Sequence, residues 1–232
     1  MNSTYEDRGM TLRQAALVAG FGLLLMSFAP FAEFYVYPTL IVPGDIEQTV
    51  ANIEANRGLF VAGLLAYLVV FICDIVVAWA LYVLFTPVNR ELSLLTAWFR
   101  IVYTVIAFVA LFKLATVHRL IDVPEQELVL GLAQLHAQID LLLRSFRAEW
   151  SISLVLFGIH LLLLGWLAFR ASYVPKFIGV LLAIAGGGWV IYCLGPYLLP
   201  GADLGLLMIT FFGELVFMLW LLIRGWSLRE PA

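Results

Sequence analysis

Four ionisable residues interrupt stretches otherwise suited only to hydrocarbon: Asp74 in FICDIVVAWALYVLF, Arg100 in AWFRIVYT, His160 in FGIHLLLLG and Glu214 in FFGELVFML. Their chemical types define what they could do. A carboxylate accepts hydrogen bonds and carries a proton. A guanidinium donates from three nitrogens and stays charged, and an imidazole donates, accepts or charges as its surroundings require. Three chemistries are open to such a set. It can be a charge-neutralising network that fixes helix register, or a proton relay or small-ligand pathway of transporter or channel type. It can also be an intramembrane hydrolase in which His160, Asp74 and Glu214 hold a metal that polarises water. Against the metal stand Arg100, a permanent cation in the same layer, and the presence of a single intramembrane histidine. No cofactor and no bound metal are expected, and whether the protein is an enzyme stays open.

The composition explains why these residues are unusual. Of 232 residues, 63% are hydrophobic and 12% charged, with a mean hydropathy of +1.01. Soluble domains average about 45–50% apolar and about 25% charged residues, so both deviations point to an integral membrane protein. A net charge of -3 without a basic run gives nucleic acid no footing. The expected partners are membrane lipid and a small ligand or proton. Cys73 and Cys193 both lie in apolar segments and form no CxxC or zinc-type spacing, which fits small side chains in helix packing.

Because about 20 apolar residues cross a bilayer core of roughly 30 Å, the elements that must position the four residues can be drawn directly. The reading is an all-α integral membrane helical bundle forming one transmembrane domain. Its spans cover approximately 13–37, 59–85, 92–117, 150–169, 177–199 and 204–223. The first apolar run continues for a full span and meets Pro30 and Glu33, so it reads as a retained helix rather than a cleaved leader.

Two connections differ from the spans and are expected to be interfacial amphipathic helices, at about 45–57 and 124–147. In the first, Pro43 and Gly44 make a turn and Asp45 stands three residues before Gln48, the spacing of a capping box. Ile46, Val50 and Ile53 then fall on one face. In the second, Leu128, Leu132, Leu135, Ile139, Leu142 and Phe146 recur at intervals of three and four, the pattern of a helix with one apolar face.

Orientation follows from lysine and arginine in the short loops. With the N-terminus inside, the inner side receives Arg8, Arg13, Arg90, Arg170, Lys176, Arg224 and Arg229, and the outer side Arg57, Lys113, Arg119, Arg144 and Arg147. The expectation is a bacterial cytoplasmic membrane with both termini cytoplasmic. Measured from the inner ends of their spans, Asp74 lies roughly 18 Å deep, Arg100 roughly 12 Å, and His160 and Glu214 roughly 15 Å, at about 1.5 Å per residue. One layer on four helices is thus expected to hold all four.

A charge at such depth costs at least about 2.5–3.5 kcal/mol facing lipid, so the four are expected to face one another, with Asp74 and Glu214 supplying acceptors to Arg100. Two acids against one arginine leave the layer at a formal charge of -1 when His160 is neutral, so one proton is expected to be exchangeable there, with His160 as the pivot. Elsewhere Gly179, Ala183 and Gly187 recur at intervals of four, a face on which another helix can approach closely. That face serves packing within the chain or a homo-oligomer contact. Glu33 sits nearer the outer interface, where contact with water makes it inexpensive. No GxSxG, GxGxxG, P-loop or HExxH pattern occurs in the expected context.

Several phrases taken together, EFYVYPTLIVPGDIEQTVANI, CDIVVAWALYVLFTPVNRELSLLTAWFR, FGIHLLLLGWLAFRASYVPKFIGVLLAIAG and GELVFMLWLLIRGW, resemble bacterial membrane proteins of domain-of-unknown-function family 4386. The resemblance covers about Leu17 to Gly225 and fits poorly between His118 and Trp150. It implies a bacterial inner-membrane protein of several helices and implies no activity. Asp74, Arg100, His160 and Glu214 all fall within the phrases that carry it.

Overall fold

In hydrocarbon no water satisfies a peptide group, so each apolar run must close its own hydrogen bonds, and a helix does this within one segment. The computed structural model follows that rule. It describes residues 9–27, 31–123, 131–199 and 201–228. Six helical segments are long and apolar enough to cross a membrane: Leu12–Leu40, Arg57–Phe85, Arg90–Ile121, Leu132–Arg170, Lys176–Leu198 and Gly205–Ser227. Among the described residues there is no strand.

The first span begins with α1 (Leu12–Met26), whose N-terminus is closed by a full capping box between Thr11 and Gln14. It resumes as a π-helical turn, Phe31–Val36, and ends in α2 (Tyr37–Leu40). The Pro43–Gly44 turn forms as expected, with Gly44 at φ 83°, a left-handed conformation that side chains disfavour. Asp45 then caps α3 (Ile46–Ala55) by accepting from the Gln48 N–H at 2.9 Å. The reciprocal half of that box is not made: the Asp45 N–H donates to the Val42 carbonyl at 3.1 Å, and the Gln48 side chain donates to Asn52. Val50 and Ile53 are buried beneath α3.

α4 (Arg57–Phe85) and α5 (Arg90–Ile121) are the next two spans, joined by a tight turn in which Asn89 caps α5 through the Leu92 N–H. The fourth span corrects the expected boundaries. Instead of an interfacial helix at 124–147 followed by a span at 150–169, residues Leu132–Arg170 form one helix, α6; positions 124–130 lie outside the described residues. The reason is local. Hydropathy drops across RSFRAEW, but no proline or glycine stands between Leu132 and Trp150, so nothing stops the helix where its polarity changes. At 39 residues it is roughly 58 Å long, about twice the hydrocarbon thickness. Its first turns are buried through Ile139, Leu143 and Phe146.

α7 (Lys176–Leu198) follows, and the last span opens as a 3-10 turn (Gly205–Phe211) before α8 (Phe212–Arg224). Packing is cyclic: α1 against α4, α4 against α5, α5 against α6, α6 against α7, α7 against α8, and α8 back against α1. The α6–α7 seam is built on glycine. A Cβ on Gly158 would stand 2.8 Å from the Gly186 carbonyl oxygen, and one on Gly179 would stand 2.6 Å from the Phe169 nitrogen. Gly165 meets Gly179 and Ala183 in the same way. The expected face is therefore shifted by one residue: Gly179 and Ala183 lie on it, Gly186 completes it, and Gly187 faces open space. The seam joins two helices of the same chain.

Candidate functional site

The α4, α5 and α6 faces that turn inward bring Asp74, Arg100 and His160 together, with side chains 0%, 1% and 0% exposed. Arg100 is the hub. Its Nε donates to Asp74 Oδ1 at 2.8 Å, and one of its terminal nitrogens lies 2.7 Å from the same oxygen. The other terminal nitrogen is 3.2 Å from His160 Nε2. Met26 of α1 brings its sulfur to 3.6 Å of the guanidinium, and the Phe157 ring lies 5.3 Å from the guanidinium carbon. All three nitrogens of Arg100 are thus engaged.

The hydrogen bonds assign the state of His160. Its Nδ1 lies 2.8 Å from the Thr96 carbonyl oxygen. A carbonyl can only accept, so Nδ1 carries the proton. Nε2 then presents a lone pair to the guanidinium, and the ring is neutral. A proton on Nε2 would set donor against donor beside a permanent cation.

Asp74 is bound on one side only. Both Arg100 contacts converge on Oδ1, and Oδ2 makes no hydrogen bond of normal geometry among the described residues. The buried Tyr103 side chain also interacts with this carboxylate.

Glu214 does not join this network. The expectation that two acids share Arg100 is corrected: only Asp74 reaches it. Glu214 projects from the first turn of α8, where its Oε1 accepts from the Trp189 indole N–H of α7 at 2.9 Å. Among the described residues no cation pairs with it. Trp189 in turn lies flat on Phe211, with ring centroids 3.8 Å apart, and edge-on to Phe157 at 6.0 Å. Phe157 also stacks on His160 at 5.8 Å. Two rings, Phe157 and Trp189, therefore stand between the neutralised triad and the glutamate. The quartet that shares a depth in the sequence is a triad and a single acid in space.

The hydrolase reading finds no ligand set. Both nitrogens of His160 are spent, one of them on a cation, and no group of three His, Cys, Asp or Glu side chains among the described residues could hold a metal.

A second polar constellation escaped the sequence reading. Glu33, in the π-helical turn of the first span, accepts from the Tyr67 hydroxyl at 2.7 Å and pairs with Arg147 of α6 at 3.1 Å. Arg147 also lies 6.0 Å over the Tyr37 ring, which stacks on Phe146. Between this pair and the triad stands Trp150, in contact with Tyr67, Phe71, Tyr103 and Phe146. The only sequence signal was an acid inside the first apolar run; its partner lies 114 positions away.

The chain matches the family model described as "Domain of unknown function (DUF4386)" over residues 18–225, a range that contains every residue of the triad as well as Glu214. It is similar to an "Uncharacterized protein" of the archaeon Archaeoglobus fulgidus, 35% identical over 161 residues, which cover 69% of this chain and 82% of that protein. No solved structure matches. With a matching model that spans most of its length and a full set of membrane-spanning helices, the chain belongs to the DUF4386 family.

Proposed function

We propose that the Asp74–Arg100–His160 triad is a structural lock and that Glu214 is the group through which the protein binds a proton or a small ligand within the membrane. The observation that carries this reading is the saturation of Arg100 by Asp74, His160 and Met26, which leaves Glu214 without an ion-pair partner among the described residues. A neutral triad that joins three spans and touches a fourth does what a register-fixing network does. An intramembrane acid held by a neutral donor is the kind of group found along proton and substrate routes. Phe157 and Trp189 stand between the lock and the acid, and no hydrogen bond joins Glu214 to the triad among the described residues, so the acid can change its charge without breaking a bond of the lock.

The arginines and lysine in its short loops support a cytoplasmic membrane with both termini in the cytoplasm. Glu214→Gln tests the function. Glutamine keeps an acceptor for Trp189 and loses the titratable group. The purified variant is expected to fold and to melt near the wild type, while the pH dependence of wild-type thermal stability between about pH 5 and 8 disappears. A wild type with no pH dependence, or a variant that retains all of it, overturns the assignment.

A further inference from the structure

The two ends of the bundle treat their cations differently. At the end reached by the α3 turn, Arg57 pairs with Asp122, Lys113 with Glu149 at 2.5 Å, Arg147 with Glu33 at 3.1 Å and Arg144 with Asp140 at 2.8 Å. At the end where α1 begins and the last span finishes, Arg13 lies over Trp226 at 5.2 Å, Arg170 over Trp166 at 5.2 Å and Lys176 over Phe169 at 5.5 Å. None of these three has a carboxylate partner among the described residues. Their charge is available to an anion, while Trp226, Trp166 and Phe169 all lie near the ends of spans, where interface aromatics are expected.

One of the three lines a cavity. An open groove of about 470 Å³ is bounded by Pro87, Val88, Trp166, Arg170, Ser172 and Tyr173. Its volume falls within the range of about 300–1,000 Å³ usual for small-molecule sites. The groove is held in shape: the Tyr173 hydroxyl donates to the Leu84 carbonyl at 2.5 Å, tying the α6–α7 turn to the end of α4, and the Tyr173 ring stacks on Phe85. Polar and apolar walls meet there, with the Arg170 guanidinium and the Ser172 hydroxyl beside the half-exposed Trp166 indole.

We propose that this groove binds the phosphate of an anionic phospholipid, with Arg170 as its principal ligand and Trp166 against the glycerol and upper acyl chain. A guanidinium fork matches two phosphate oxygens at once, and basic pockets between spans are suited to lipid head groups. The lipid source is favoured over free phosphate because the half-exposed Trp166 indole, on a helix long and apolar enough to cross a membrane, stands beside the Arg170 guanidinium and gives the groove an apolar wall next to its charge.

Native mass spectrometry of the full-length protein, titrated with phosphatidylglycerol and separately with phosphatidylcholine, tests this. One phosphatidylglycerol is expected to be retained in preference to phosphatidylcholine. Arg170→Gln is expected to weaken that retention about tenfold, the scale of one charge-assisted contact. Arg170→Lys is expected to weaken it too, because the charge survives but the fork does not. Lys176→Gln, outside the groove, is expected to leave it unchanged. Unfolding curves of the variants establish that each is folded; Arg170 is exposed, so no loss of stability is expected. Equal losses in Arg170→Gln and Lys176→Gln would reduce the effect to general surface attraction and overturn the site. Complete restoration by Arg170→Lys would do the same for the fork. Displacement of the lipid by millimolar inorganic phosphate would assign the site to a free anion instead.

Discussion

His160 Nε2 faces an Arg100 guanidinium nitrogen at 3.2 Å while Nδ1 donates to the Thr96 carbonyl. The imidazole is therefore an acceptor in a closed network rather than a proton carrier. This displaces the expectation that His160 is the pivot of proton exchange. His160→Leu leaves one buried guanidinium N–H without a partner, an effect of about 1–3 kcal/mol or somewhat more for a charged donor. Thermal unfolding across pH is expected to shift to lower temperature by a constant amount, with the shape of the pH profile retained. A flattened profile would return the proton to His160.

The Asp74–Arg100 pair makes a sharper demand. Both residues are wholly buried, so removing one strands the other. Arg100→Leu is expected to cost about 3–5 kcal/mol, as measured for broken buried pairs. Combining it with Asp74→Leu should recover part of that loss, because the stranded carboxylate goes with its partner. Unfolding in detergent or denaturant measures the coupling. A double variant no better than the sum of the two singles would mean that Asp74 is anchored by something other than Arg100.

The α6–α7 seam separates two neighbouring glycines. A methyl group on Gly186 would meet the Gly158 carbonyl oxygen at 2.6 Å and the Leu162 nitrogen at 2.7 Å, both main-chain atoms that cannot step aside. One on Gly187 meets nothing within 4 Å. Gly186→Ala should destabilise by about 1–3 kcal/mol through overpacking, whereas Gly187→Ala should be neutral or stabilising by up to about 1 kcal/mol through helix propensity. Parallel melting curves decide it, and similar losses in both variants would contradict the seam.

Topology is checked by labelling. Gln48 is exposed at the start of α3. In a variant without Cys73 and Cys193, a cysteine introduced near Gln48 should react with an impermeant maleimide in intact cells. Cysteines added beside Met1 or Ala232 should react only after lysis. Reaction of either terminus in intact cells would reverse the assigned orientation.

How much of this was legible beforehand depends on the range of the interaction concerned. The six spans were legible because a bilayer forces each apolar run to satisfy its own peptide groups, and run length alone then identifies a span. Asp45 as a cap and Gly44 as a left-handed turn were legible because their causes lie within a few residues. That Asp74, Arg100 and His160 would be buried was legible because the alternative is charge in lipid. Rotation was not legible. One residue along a helix turns a side chain by about 100°, so depth placed Glu214 level with Arg100 but could not say that α8 aims it at Trp189. The same rotation moved the packing face from Gly187 to Gly186. The continuity of α6 was hidden because hydropathy reports the solvent of a segment and not its backbone, and the Glu33–Arg147 pair was hidden by its separation in the chain. Local chemistry and the solvent act on short stretches and can be read from them; which faces meet is decided only when all six helices pack at once.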